Sequence, residues 1–195
     1  KMGPYIHVWY FSLNSFTSWE SGDLITIMGR NGENSITAHS DYAVTATGGN
    51  SEDLFEGSDQ DDTFSGGNGG DTFWGKPGAD TLTGGSGADI FLYEETNEGG
   101  DSILDFSHAD DSFTFYKWGN TFTETALFSS SAFGLDGGPG DNYTFGHTDS
   151  SFLFDSSNKV LWYDADGDVD EGHSMIADVT GGDDVQADDI TWYGG

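Results

Sequence analysis

Large apolar side chains recur every nine residues through the middle of the chain, at Phe55, Phe64, Phe73, Leu82 and Phe91. Each is the centre of a three-residue strand, so it points to one side while its two neighbours point to the other. Six small or polar residues separate one strand from the next, which is turn length. Two such nonapeptides make one turn of a flattened coil, with a strand on each face and a loop on each edge. The pattern predicts a right-handed parallel β-roll over residues 48–106. Upstream, Tyr5, His7, Trp9, Phe11 and Leu13 alternate loosely and read as a strand pair within residues 1–22. Residues 23–47 read as degenerate turns of the same coil, with Asn34 in the place the repeat gives to aspartate and little or no ion binding. Residues 107–195 are expected to form an antiparallel β cap.

Two residues before each apolar position stands an aspartate: Asp53, Asp62, Asp71, Asp80 and Asp89. Glycines crowd the positions before each, most fully in Gly66-Gly67-Asn68-Gly69-Gly70. Glycine-rich backbone reaches angles closed to other residues, so several carbonyls can converge on one point. Carbonyl and carboxylate oxygens are the ligands of calcium, which takes six to eight of them. Stacking places Asp53, Asp71 and Asp89 on one edge and Asp62 and Asp80 on the other, with turns roughly 4.8 Å apart. Ions are therefore expected between Asp53 and Asp71, Asp71 and Asp89, and Asp62 and Asp80. Backbone carbonyls of Gly48, Asn50, Gly57, Asp59, Gly66, Asn68, Gly75, Gly84 and Ser86 complete the ligand set. Ser51 and Gln60 replace a glycine, which weakens the first loops, and Lys76-Pro77 puts a positive charge beside an ion site.

The charge balance strengthens this picture. Thirty-five acidic against five basic residues give a formal net charge of −30 on 195 residues. Such a chain repels itself unless counterions bind, so folding and calcium binding should be coupled. The same charge argues against nucleic acid or an anionic membrane as partner. Fifteen Phe, eight Tyr and six Trp supply a core and set the chain apart from a disordered acidic polymer. There is no cysteine, so disulfides contribute nothing and the ion takes their role. No apolar run is long enough to span a membrane.

The Gly/Asp nonapeptide resembles the calcium-binding repeat of RTX (repeats-in-toxin) proteins. Gly87-Ala88-Asp89-Ile90-Phe91, followed by Asp101 and by Asp105-Phe106, is similar to the end of the roll in serralysin-type C-terminal domains. That resemblance implies a further calcium ligand at Asp101 and a weaker one at Asp105. Phe152 to Gly167, with Ile176 to Gly181 and Ala187 to Ile190, resembles the closing hairpin of many such proteins. The resemblance implies export by a type I exporter of a Gram-negative bacterium, with an uncleaved signal near Asp188 to Gly195, and an extracellular or cell-surface location. Outside the cell calcium reaches the roughly 0.1–1 mM affinities of extracellular modules, so the roll would fold on exit.

Other chemistry finds little support in the chain. Asp164, Asp166 and Asp168 have alternate spacing that suits weak calcium contacts, but the glycine comes early and Met175 holds the place of the bidentate glutamate, so a solvated acidic turn is the stronger reading. His7, His39, His108, His147 and His173 are scattered, without a His-Glu-x-x-His motif. No catalytic residue is assigned. The expected role is a secreted structural, adhesive or self-assembling subunit forming homo-oligomers or filaments, with Trp74 as an outward contact and Tyr5–Phe16 as an association segment. The alternatives are the export and folding module of a larger secreted enzyme (protease, lipase or alginate epimerase) and a polysaccharide-binding module.

Overall fold

The computed structural model describes residues 25–29, 31–38, 42–116, 122, 127–131, 151–165 and 173–193. The strand pair expected over residues 1–22, Asp166 and Asp168 lie outside them. The regular structure of the described chain is nearly all β, wound into a parallel solenoid of about four turns. Seven strands form the first turns: β1 (Ile25–Met28), β2 (Ser35–Thr37), β3 (Val44–Gly49), β4 (Leu54–Glu56), β5 (Thr63–Asn68), β6 (Thr72–Trp74) and β7 (Thr81–Ser86). Then come β8 (Ile90–Tyr93), β9 (Asp101–Ile103), β10 (Ser112–Tyr116), β11 (Leu127–Ser131), β12 (Ser151–Asp155), β13 (Val160–Asp164), β14 (His173–Asp178) and β15 (Ile190–Tyr193).

The nine-residue period sends alternate strands to opposite faces. One sheet runs β1-β3-β5-β7-β9 and then β14-β13-β12-β11; the other runs β15-β10-β8-β6-β4-β2. Pairing within the repeats is parallel and shifts by two nonapeptides, matching Phe55 with Phe73 and Phe64 with Leu82. Each strand therefore delivers its apolar residue to the same interior column. On one face Phe55, Phe73 and Phe91 stack, with centroids 4.9 and 5.4 Å apart, and Phe113 follows at 5.9 Å. On the other, Ala46, Phe64, Leu82 and Ile103 are in register and buried. Burying one such side chain contributes about 1.5–3 kcal/mol, and ring contacts add about 0.5–1.5 kcal/mol.

The degenerate segment 23–47 supplies two short parallel strands, β1 and β2, that extend the roll upstream. Downstream the cap is mixed, not purely antiparallel. The pairs β12–β13 and β13–β14 are antiparallel, but β11–β12, β14–β9 and β10–β15 are parallel. The roll itself continues past Asp89 through β9 and β10, which stack on β7 and β8. Strand β15 then lies on β10, where Trp192 packs 6.0 Å from both Phe115 and Phe152 and covers the end of the aromatic column.

Candidate metal centre

Each edge of the roll carries a ladder of aspartates held by the backbone. On one edge, Asp53 Oδ1 accepts from Asn34 N (2.6 Å), Asp71 Oδ1 from Asp53 N (2.8 Å), and Asp89 Oδ1 from Asp71 N (2.8 Å). Asp111 Oδ1 then accepts from Asp89 N at 3.0 Å. On the other edge, Asp62 Oδ1 accepts from Val44 N (2.6 Å), Asp80 Oδ1 from Asp62 N (2.7 Å) and Asp101 Oδ1 from Asp80 N (2.9 Å). One oxygen of every carboxylate is thus fixed on the turn before it. Asn34 fills the aspartate place of its turn, its amide also donating to Asp53 Oδ1 at 2.7 Å.

The second oxygen separates the aspartates into two groups. At Asp53, Asp71, Asp80 and Asp89, Oδ2 is buried and accepts no hydrogen bond. Each points into a cleft kept open by a glycine: a methyl group at Gly48, Gly66, Gly75 or Gly84 would collide with it. The same methyl at Gly48 would come within 2.6 Å of the Gly66 carbonyl oxygen, and at Gly66 within 2.7 Å of that of Gly84. A carboxylate oxygen and a backbone carbonyl oxygen therefore face one space with no donor between them. Leaving an ionised oxygen buried and unpaired costs several kcal/mol, so the space calls for a cation. A set made wholly of hard oxygens fits calcium.

The electrostatics carry the same message. Burial, followed by the charges of neighbouring acids, pushes Asp71 and Asp89 up to about 6 and Asp80 to about 7. Burial raises Asp53, Asp62 and Asp111 as well. Asp101 rises to about 8, from burial and then the adjacent charge of Asp80. These carboxyls hold protons more tightly than free aspartate unless a positive charge takes the proton's place.

At the remaining three aspartates the protein itself fills the position. Asp62 Oδ2 accepts from Ser58 N (2.7 Å) and Ser58 Oγ (3.2 Å), Asp101 Oδ2 from Tyr93 Oη (2.8 Å), and Asp111 Oδ2 from Ser107 N (2.8 Å). The ion expected between Asp62 and Asp80 thus meets one open and one closed carboxylate. Asp111 escaped the sequence reading; its signal was Asp111-Ser112-Phe113, which keeps the aspartate-x-Phe spacing after a longer loop.

The other expected ligands divide by position. Gly48, Gly57, Gly66, Gly75 and Gly84 line the clefts. Asn68 donates to Asn50 and Asn50 to Asn31, each at 2.9 Å, forming an exposed amide ladder outside them. Ser86 and Asp59 are exposed, and the Asp59 carbonyl accepts from Gln60 Nε2 at 2.9 Å. Neither Ser51 nor Gln60 adopts a positive φ. Asp105 does not join a ladder: its two oxygens accept from Gly84 N (2.8 Å) and Gly85 N (2.9 Å). Asp164 is buried in β13 of the cap, 4.0 Å from His173 Nε2. Lys76 takes φ of 69°, as a glycine would there, and its ammonium turns outward to Glu56 at 2.7 Å. It also lies 4.8 Å over the Trp74 ring, so it covers the expected outward contact and does not sit at the ion cleft.

The family described as RTX calcium-binding nonapeptide repeat matches residues 47–82 and 65–95, the stretch that carries Asp53, Asp62, Asp71, Asp80 and Asp89 of the two ladders. This is an RTX β-roll. Its repeats are calcium-binding, and repeats of this kind are typical of secreted bacterial proteins. No curated protein sequence matches the chain. No helix among the described residues is long and apolar enough to cross a membrane.

Proposed function

We propose that this RTX β-roll is a secreted, non-catalytic structural protein whose fold is completed by calcium outside the cell. Asp53, Asp71, Asp80 and Asp89 hold the ions through Oδ2, and the glycine-lined loops supply carbonyl oxygens. The observation that carries this reading is the set of four buried, unpartnered Oδ2 atoms aimed at those clefts. Calcium supplies the missing charge there, and the residues contribute geometry: Oδ1 is pinned to the preceding turn, so Oδ2 cannot swing away. In low calcium the chain leaves these oxygens uncompensated and stays extended enough to pass a type I exporter.

A structural, adhesive or self-assembling role is supported by how the described chain is spent. Its buried polar groups serve the ladders and the cap, and Leu54 and Ile90 stay exposed on the strands of one sheet. Circular dichroism tests the folding half: chelated protein should lose most strand signal and regain it on adding millimolar calcium. Light scattering with and without calcium tests assembly. A strict monomer at high protein concentration in calcium rejects the assembling subunit and leaves a calcium-folded module.

A further inference from the structure

We infer that the two edges of the roll load calcium unequally: three consecutive ions on the Asp53–Asp71–Asp89 edge, and a single ion at Asp80 on the other, whose flanking turns at Asp62 and Asp101 are closed by protein donors and bind none. The inference rests on the calcium reading above and specifies which rungs the ion does not use.

A carboxylate oxygen that already accepts one or two protein donors has lost the unmet demand that draws a cation, and the donor hydrogens stand where the ion would sit. Asp62 Oδ2 faces both the N–H and the hydroxyl of Ser58, which is itself buried and reaches the Tyr42 carbonyl at 3.1 Å. Asp101 Oδ2 faces the hydroxyl of Tyr93, a side chain 2% exposed and wedged among the core aromatics. Neither donor can swing out without opening packed structure.

At Asp62 and Asp111 the closing donor stands four residues before the aspartate, whereas Asp101 is closed by Tyr93, eight residues before it. Four residues before, the open carboxylates have Gly49, Gly67, Lys76 and Gly85; the closed Asp62 has Ser58, and Asp111, also closed, has Ser107. Gly67, Lys76 and Gly85 occupy the left-handed region, with φ of 112°, 69° and 102°, while neither serine does. A serine at this point lets the loop fold back so that its own N–H serves the aspartate. The chain thus swaps an ion for a hydroxyl, an amide or both at chosen turns.

Two measurements test this. Crystals grown in calcium, measured for anomalous scattering, should show ions beside Asp53, Asp71, Asp80 and Asp89 and none beside Asp62 or Asp101. An ion at either of the last two overturns the inference while leaving the calcium reading intact; ions at no ladder position overturn that reading as well. In solution, the number of calcium ions bound per chain, from equilibrium dialysis, should fall by one in Asp71→Asn and stay unchanged in Asp62→Asn and Asp101→Asn. If Asp62→Asn fails to fold, the anomalous map of the unsubstituted protein still decides. Loss of an ion in Asp62→Asn or Asp101→Asn refutes the closed rungs.

Discussion

Stripping calcium should remove most of the folding free energy, and the size of that effect can be worked out from the clefts. The four open Oδ2 atoms define four sites that exist only in the folded chain. A ligand bound only by the folded state stabilises it by about 2.7 kcal/mol per site at a hundred times its dissociation constant. Four sites then supply about 11 kcal/mol, comparable to the whole stability of an ordinary domain, about 5–15 kcal/mol. Near saturation each tenfold rise in free calcium adds about 1.4 kcal/mol per site, so stability should climb by about 5–6 kcal/mol per decade. The assay is urea unfolding, followed by far-ultraviolet circular dichroism, in a series of buffered free calcium concentrations. The unfolded chain carries a net charge of −30 and retains some ions, which lowers the slope below the ideal value. A slope near zero, or full stability in excess chelator, would refute the assignment of the Oδ2 clefts as ion sites.

Three further outcomes are expected. Phe73→Ala removes a fully buried ring stacked 4.9 Å from Phe55 and 5.4 Å from Phe91, and should cost about 3–5 kcal/mol in calcium-saturated protein by denaturant unfolding; a cost below about 1 kcal/mol would show that the column is not tightly packed. In chelator, acidification should favour folding: Asp71 and Asp89 at about 6, Asp80 at about 7 and Asp101 at about 8 all lie above the ordinary 3.8, so the folded state binds more protons and loses stability as pH rises from about 4 to 8. Saturating calcium should invert that trend, because protons compete with the ion for Oδ2, and a pH titration of strand signal that is flat in chelator would contradict it. Lys76→Gly should change stability by about 1 kcal/mol at most and leave the calcium count unaltered, since relief at a positive φ offsets the loss of a half-buried ion pair with Glu56 and of the contact with the Trp74 ring.

The regular part of the molecule was legible because one period sets everything. A nine-residue spacing that puts aspartate two places before an apolar residue fixes which side chains stack and which edge each carboxylate occupies. The longer spacings were harder to read. Asp101 and Asp111 stand 21 and 22 residues after their ladder partners, so the repeat count no longer finds them. Asp101 was recovered by resemblance, and Asp111 was missed. Asp105 was implied as a weaker ligand by the resemblance to serralysin-type domains, yet backbone N–H groups of β7 claim it. Lys76 looked disruptive because it puts a positive charge beside an ion site, yet its ammonium is taken up by Glu56 and the Trp74 ring. Ser58, which closes a rung, carried no signal of its own, because the period treats it as one more small loop residue. The parallel placement of β15 depends on contacts between Trp192 and rings far away in sequence, so no local pattern could reveal it.

The distribution of open and closed aspartates follows the change in core along the roll. Where the interior column is one aromatic or aliphatic residue per strand, from Phe55 to Phe91, four of the five repeats leave Oδ2 unsatisfied. Where the loops lengthen, Asp101 and Asp111 are capped by Tyr93 and Ser107, and the core broadens to include Phe106, Phe113, Phe115, Phe122 and Phe152. A narrow roll has too little apolar burial per residue to offset the entropy of ordering glycine-rich loops, so it draws on an ion at nearly every turn. The broader end has that burial and dispenses with the ion. His108 reinforces the closed end: its Nδ1 lies 2.8 Å from Asp189 Oδ1, an interaction that pushes the imidazole pKa up and ties the loop after Phe106 to the turn before β15. Calcium dependence is therefore graded along the chain, strongest in the uniform repeats and weakest where the cap closes on β10.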